Sequence, residues 1–239
     1  MARRKLLLLG LLSLFAAQVA AATELDRVRE FERAREAKRQ ALESSTAEQR
    51  KLEAERITAQ AGRITRNGAE LEIKLDNGAR TFFRNEESHC LEGVIPTHDD
   101  SCVEFVYLGR LEQRFDLLLA RYYEGLDYRL IVDANGRAIR LADVPHFSPD
   151  ADRFVAVSSP EAFSFDGIEV WSVRAGTPVM EWNHQPKGYA LYFFGRWNGD
   201  DAIALEVETY VAHELKRLPA RLVRQPGGWR LEGPAEASH

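Results

Sequence analysis

Along most of the chain, hydrophobic and polar residues alternate with a period of two, which is the pattern of half-buried β-strands. From Gly62 onwards, short alternating segments are separated at regular intervals by turn residues such as Asn67-Gly68 and Asp76-Asn77-Gly78. The pattern predicts strands at 63–66, 70–75, 80–84, 103–109, 115–122, 126–133, 137–141, 153–158, 167–174, 177–183, 189–197, 202–212, 217–224 and 228–232. Many short strands at this spacing indicate an all-β domain.

Residues 23–61 follow a different pattern, with neither glycine nor proline and with an apolar stripe at helical spacing. The stripe is narrow, because it runs only from Leu25 to Phe31 and then continues mainly as alanine. Nine acidic and nine basic residues surround it, a balance that suits i,i+4 pairing on a solvated helix. We expect a helix, a break at 44–46 and a second helix to about Gln60. The segment is either a partner-binding or coiled-coil arm, or a charged lead-in packed loosely on the domain.

The first 22 residues have the polarity of a secretory signal peptide. Three basic residues precede an uninterrupted run of apolar and small residues over 6–17, which is too short for a permanent membrane anchor. Ala20 and Ala22 supply the small-x-small pattern of a cleavage site. We therefore predict cleavage before Thr23 and a periplasmic or secreted protein.

A turn and the strands around it carry a resemblance to a known repeat. Ser148-Pro149-Asp150 precedes an alternating segment at 153–157, and the next segment, 167–174, carries a tryptophan. This order resembles a blade of bacterial β-propeller repeat proteins, in which a Ser-Pro-Asp turn precedes an inner strand and an aromatic-bearing strand follows. Those repeats have a glycine after the aspartate, and here Ala151 takes its place. Fainter copies of the turn occur around Phe115-Asp116 and Asn198-Gly199-Asp200-Asp201.

We therefore expect a mostly β protein made of blade-like antiparallel sheets, with a charged helical segment at its N-terminal end. The sheets would form an incomplete or small propeller, or a twisted sandwich. The predicted organisation is a signal peptide (1–22), the helical segment (23–61), a β-rich domain (62–234) and a tail (235–239). Closure of the blades and the oligomeric state are open at this point.

Charge and cysteine content narrow the function. The chain has a formal net charge of −5, and removal of three basic signal-peptide residues makes the mature charge −8. Such a protein repels phosphate backbones, so we expect no nucleic-acid partner. In an exported protein, Cys90 and Cys102 most simply form one disulfide. A metal site is the alternative, because His89 and the segment 98–100 (His-Asp-Asp) are near, but the spacing matches no standard zinc site. We predict no metal and no cofactor.

The usual catalytic motifs are absent from the sequence: it has no nucleophile elbow, no His-Glu-x-x-His, no phosphate loop and no dinucleotide fingerprint. Glu206 and Glu208 are two residues apart, so on a strand they share one face with Tyr210, opposite Leu205 and Val207. They are either the polar side of an ordinary strand or an acid/base pair of a glycosidase type. A hydrolase acting on a cell-envelope polymer is therefore the alternative function.

Aromatic density is the feature that most suggests binding. Tryptophan and tyrosine give rigid contact area with a polar handle, which suits protein or sugar recognition, although a β core uses the same residues as filling. We expect a non-enzymatic protein that binds a protein or glycan of the cell envelope. The candidate binding patch consists of Trp171, Trp182, Tyr189, Tyr192 and Trp197.

Overall fold

The computed structural model describes residues 29–30, 32–40, 46–86, 103–122, 125–158 and 167–234. The predicted signal peptide (1–22), the proposed disulfide partners Cys90 and Cys102, and the tail (235–239) lie outside the described residues. In the part of the chain that the structure describes, no helix combines the length and the hydrophobicity needed to cross a bilayer.

Two helices precede the strands. Helix α1 comprises residues 29–30 and 32–40, and helix α2 spans Thr46–Thr58. The strands are β1 Ile64–Asn67, β2 Glu70–Lys74, β3 Arg80–Arg84, β4 Glu104–Leu111, β5 Phe115–Arg121, β6 Leu126–Val132, β7 Ala138–Leu141, β8 His146–Phe147, β9 Arg153–Ser158, β10 Gly167–Arg174, β11 Thr177–His184, β12 Ala190–Trp197, β13 Ala202–Val211, β14 Glu214–Gln225 and β15 Gly228–Glu232.

The strands form four antiparallel sheets, each built from strands that follow one another in the chain. The first sheet is β1–β3, the second β4–β7, the third β8–β11 and the fourth β12–β15. The predicted fold class, mostly β in blade-like antiparallel sheets with an N-terminal helical segment, is confirmed. The strand β8 was not predicted, because two residues are too few to show an alternation. Strand β14 begins at Glu214, whereas the sequence predicted a start at 217. The prediction was late because the first four residues are exposed on both faces and therefore show no alternation.

The four sheets stack in chain order, and each inner sheet uses its two faces for two different cores. On β5, Leu118 packs in a cluster with the first sheet, whereas Leu117 and Leu119 pack in the cluster shared with the third. On β10, Val170 faces the fourth sheet and Trp171 the second. This is the consequence of a side-chain period of two in strands that are buried on both faces. No hydrophobic cluster of the described residues joins the first sheet to the fourth.

Three turns that the sequence relates to one another occupy equivalent places in the fold. They lie between the first and second strands of the second, third and fourth sheets, at 112–114, 148–152 and 198–201. The backbone N–H of Asp150 donates to Asp200 Oδ1 (3.1 Å), so the turns of the third and fourth sheets are in contact. The likeness to propeller blades beyond this equivalence stays a prediction.

The Ser-Pro-Asp turn is held by side chains. The hydroxyl of Ser148 donates to Asp150 Oδ1 (2.6 Å) and accepts from the N–H of Arg153 (3.1 Å). Ala151 has a φ of 56°, so the position where blade repeats carry glycine does adopt the left-handed conformation that favours glycine. The turn therefore keeps its shape although the glycine is missing.

Both helices pack on the sheets through small and polar residues. Ala34 and Ala37 of α1 are buried in the cluster between the second and third sheets, and Lys38 pairs with Asp143 (3.0 Å). On α2, Glu53 Oε1 accepts from the backbone N–H of Tyr107 on β4 (2.7 Å). Buried hydrogen bonds of this kind are costly to break. The helical segment is therefore attached more specifically than its narrow apolar stripe predicts.

Candidate binding surface

Trp171, the first residue of the predicted patch, belongs to the core. Its side chain is 8% exposed and lies in the cluster between the second and third sheets. Its ring stacks on that of Phe154, with centroids 5.9 Å apart and an interplanar angle of 14°. A residue in this position contributes to stability and is not accessible to a partner.

Three further residues of the predicted patch line the junction between the third and fourth sheets. The Trp182 ring stacks on His184, which meets Tyr192 edge-on. Tyr192 is 3% exposed. At the other end of the junction, the indole N–H of Trp197 donates to the carbonyl of His146 (2.9 Å). These residues attach the fourth sheet to the third.

Tyr189 is the member of the predicted patch that lies on the opposite, outer face of the fourth sheet. We define the outer face by the residues that alternate with the buried positions of β12, β13 and β14. Tyr192, Val207 and Leu222 mark the buried face. The outer face consists of Tyr189, Leu191, Phe193, Ala204, Glu206, Glu208, Tyr210, Leu215, Arg217, Pro219 and Arg221.

One end of the outer face is apolar and aromatic. The rings of Tyr189 and Tyr210 are in tilted contact, with centroids 5.2 Å apart. Tyr210 pairs across the strands with Leu215, and these two side chains are 39% and 47% exposed. Two effects raise the pKa of Tyr189 above its ordinary value: loss of hydration is the larger, and the negative charge of Glu208 is the next. Exposed tyrosine beside an exposed leucine gives rigid apolar area with polar tips, which is the chemistry of protein contacts.

The middle of the outer face is charged and internally paired. The guanidinium of Arg217 lies 3.9 Å from the centroid of the Phe193 ring. The same group is 3.7 Å from the carboxylate of Glu206 and 3.8 Å from that of Glu208. The two carboxylates thus share one arginine on an open surface, whereas an acid/base pair flanks a substrate cleft.

The far end of the outer face is basic. Arg196 of β12 and Arg221 of β14 are cross-strand neighbours of Ala204 on β13, one on each side. Both are exposed, and neither forms an ion pair with the residues that the structure describes, although Arg221 lies opposite Glu232 of β15. Arg230 on β15 is paired with Glu232. The fourth sheet therefore presents an apolar end, a paired middle and a basic end.

A second cluster of ionisable groups is buried between the first and second sheets. Asp116, which is fully buried, accepts from the hydroxyl of Tyr107 (2.9 Å) and from Arg63 (2.6 Å). Arg63 also donates to Asp133 (2.8 Å), which accepts from Arg110 (2.5 Å). We call these five residues the ionic cluster. Because Asp116 is sealed from solvent, it is not accessible to a substrate, and the ionic cluster attaches the two sheets.

Burial is the main cause of the perturbed pKa values in the ionic cluster. It raises the pKa of Asp116 to about 6, with a further upward contribution from Asp133, although Arg63 acts in the opposite direction. The pKa of Tyr107 is also raised, mainly by burial and secondly by the negative charge of Asp116.

A cleft of about 410 Å³ lies between α2, the turn after β1 and the beginning of β4. Its charged residues are mostly paired: Arg66 with Glu53 (2.6 Å), and Glu104 with Arg121 (3.2 Å). In addition, the described residues contain no cluster of three or more groups suited to a metal ion. The cleft therefore lacks converging catalytic groups, and the outer face of the fourth sheet is the stronger candidate site.

The sequence prediction missed Phe193, Tyr210, Leu215 and Arg217. The alternation along β13 does place Tyr210 with the two glutamates on the polar side, so this strand contained the signal. The alternation along β12 predicts that Phe193 and Tyr192 lie on opposite faces of the strand, but it does not show which face packs on the third sheet.

In comparisons with protein-family models, curated proteins and solved structures, no match to this chain was found.

Proposed function

We propose that the chain is an exported, non-enzymatic binding protein whose outer face on the fourth sheet contacts a protein of the cell envelope. The observation that carries the proposal is the exposed group Tyr189, Tyr210 and Leu215 beside Arg217 and its carboxylates. Tyrosine and arginine are enriched among residues that dominate binding energy, and the central apolar contact is usually bordered by charged groups. The predicted signal peptide and the acidic mature chain are consistent with a partner outside the cytoplasm.

A protein partner fits this face better than a glycan. Sugar stacking needs an open ring face, but the Tyr189 and Tyr210 rings are tilted by 56° to each other. The face of the Phe193 ring is covered by Arg217. The exposed Leu215 offers a sugar no hydrogen bond, whereas it suits an apolar side chain of a protein.

Affinity capture tests the proposal. The mature chain, immobilised as bait for periplasmic extract, should retain a specific protein, and Tyr210→Ser with Leu215→Ser should lose most of it. Phe82→Ser is the matched control, because Phe82 is 53% exposed on the first sheet and its removal leaves the fourth sheet unchanged. Equal retention by the three baits would contradict the proposal. Retention of polysaccharide in place of protein would favour a glycan partner.

The alternative function, hydrolysis of an envelope polymer, has less support. Glu206 and Glu208 share Arg217, and Asp116 is sealed within the ionic cluster. A hydrolase needs at least two ionisable groups that converge on an accessible point. If Glu206→Gln abolished release of fragments from purified envelope polymer, the hydrolase function would replace the proposed one.

A further inference from the structure

The charges in and around the ionic cluster do not balance. Asp76, whose side chain is 61% exposed at the edge of the cluster, lies 3.0 Å from Arg63 and 3.6 Å from Arg110. Together with Asp116 and Asp133, it makes three carboxyl groups against two guanidinium groups. If every group were ionised, one negative charge would be uncompensated. A single bound proton would make the set neutral.

Asp116 and Asp133 are the two carboxyl groups that one proton can join. Oxygen atoms of both lie close to Nη2 of Arg63, at 2.6 and 2.8 Å, and both side chains are buried. Two carboxylates in such a site repel each other strongly, because little water screens them. A proton held between them replaces the repulsion by a hydrogen bond. The pKa of Asp116 is accordingly raised to about 6, chiefly by burial and also by Asp133, although Arg63 opposes the shift.

The titratable and charged groups that face Asp116 come from β4, from the residues before β1 and after β2, and from the turn after β6. They are Tyr107, Arg110, Arg63, Asp76 and Asp133. Helix α2 contacts Tyr107 through Glu53 and Arg56, but both bond to its backbone (2.7 and 3.1 Å) and Asp116 binds its hydroxyl. Histidine, the usual group that titrates near neutral pH, is not among these described groups. A response of the cluster in that range therefore comes from the carboxyl pair.

The attachment of the first sheet depends on this cluster more than the other attachments depend on charge. The apolar cluster between the first and second sheets is the smallest of the three hydrophobic clusters of the described residues. In addition, the buried Nε atoms of Arg63 and Arg110 have no hydrogen-bond partner in the part of the chain that the structure describes. A partly satisfied buried network costs free energy. The first sheet is therefore the unit that should open most easily by itself.

We propose that the ionic cluster is a pH-dependent catch: a proton shared by Asp116 and Asp133 holds the first sheet on the second, and its loss lets the first sheet open locally. The cleft of about 410 Å³ lies between the turn after β1 and the beginning of β4, so the same opening would widen it. This inference does not depend on the proposed function, because the fourth sheet is at the other end of the stack.

The direction of the pH effect follows from proton linkage. In the closed state the pKa of Asp116 is about 6, whereas a solvated aspartate has a pKa of about 4. Below about pH 4 the proton is bound in both states, and the closed state is most favoured. As the pH rises from about 4 to about 6, the opening constant should increase about tenfold per pH unit and then level off. The total change is about a hundredfold.

Amide hydrogen exchange of the mature chain, corrected for the intrinsic exchange rate at each pH, tests the catch. Segments 71–74 and 80–84 should lose about a hundredfold in protection between about pH 4 and pH 7. At every pH they should be less protected than segment 154–157 of the third sheet. In Asp116→Asn, protection of the first sheet should hardly vary with pH, because the amide is uncharged and can donate to Asp133 as a protonated carboxyl does.

Asp127→Asn is the matched control, because Asp127 is also buried on the second sheet but pairs with Arg140 (2.7 Å), outside the ionic cluster. It should keep the pH dependence of the wild type. If Asp116→Asn fails to fold, carboxyl carbon resonances of the wild type decide: the Asp116 signal should titrate near pH 6, and the Asp133 signal should follow because the proton is shared.

Four results would each overturn the catch. The first is constant protection of the first sheet in the wild type, and the second is a wild-type pH dependence in Asp116→Asn. The third is equal protection of the first sheet and segment 154–157, which would mean that the first sheet does not open by itself. The fourth is an Asp116 carboxyl signal that titrates near the ordinary value of about pH 4.

Discussion

The first and fourth sheets occupy the two ends of the stack, but different chemistry attaches them. The first sheet packs through a small apolar cluster that includes Leu71 and Ile73, and Arg63 joins it to the buried Asp116 and Asp133. The fourth sheet packs through a larger aromatic and aliphatic cluster. Its main polar links are the indole N–H groups of two tryptophans, which bond to His146 and Glu181.

This difference has a physical consequence for each end of the molecule. Buried charges fix a particular arrangement, but their desolvation makes the attachment sensitive to pH and to the loss of any one partner. Apolar packing is less directional and does not titrate. The fourth sheet can therefore be held firmly by its inner face while its outer face stays available for binding.

The largest effect should come from the apolar core. Trp171→Ala removes a large side chain between the second and third sheets and should reduce the free energy of unfolding by about 3–5 kcal/mol. Denaturant unfolding measures it, with the exposed Phe82→Ala as the control at less than about 0.5 kcal/mol. A loss below about 1 kcal/mol for Trp171→Ala would show that the indole is not packed between sheets.

The next effect concerns the ionic attachment of the first sheet. Arg63→Ala leaves the carboxylates of Asp116 and Asp133 buried with fewer compensating donors, and it should cost about 3 kcal/mol at neutral pH. Arg80→Ala is the control, since Arg80 pairs with Glu72 on an exposed surface and should cost less than about 0.5 kcal/mol. Equal losses of unfolding free energy for the two variants would mean that the ionic cluster stabilises the fold no more than a surface ion pair does.

A smaller effect should appear in the pH dependence of unfolding. The pKa of Asp116 is raised to about 6 in the folded protein, whereas its unfolded pKa is about 4. The stabilisation of the folded state by protonated Asp116 is therefore fully present below about pH 4 and is lost as the pH rises through about 6. The free energy of unfolding of the wild type, relative to Asp116→Asn, should fall by up to about 3 kcal/mol between about pH 4 and pH 7. A difference that is constant with pH, or that rises with it, would contradict the raised pKa.

The sequence predicted local features well and the contacts between sheets poorly. The hairpin after β1 and the outward position of Glu206 and Glu208 follow from turn chemistry and alternation, and both are present. The turn itself is one residue later than predicted: it consists of Gly68-Ala69, because Asn67 is the last residue of β1 and pairs with Glu70. Arg63 and Asp116 are 53 residues apart, and no local pattern connects them. The same limit explains the predicted patch, because alternation cannot tell which side of β12 packs on the third sheet.

Hydrogen exchange on the complex with the captured protein tests most directly whether the fourth sheet is the contact surface. We expect slower amide exchange, relative to the free chain, in segments 189–193 and 208–217. Exchange in segment 80–84 should be unchanged, because this segment belongs to the first sheet, at the opposite end of the stack, for which we propose no partner. Protection confined to the first sheet or the helices, with the fourth sheet exchanging as in the free chain, would contradict the account.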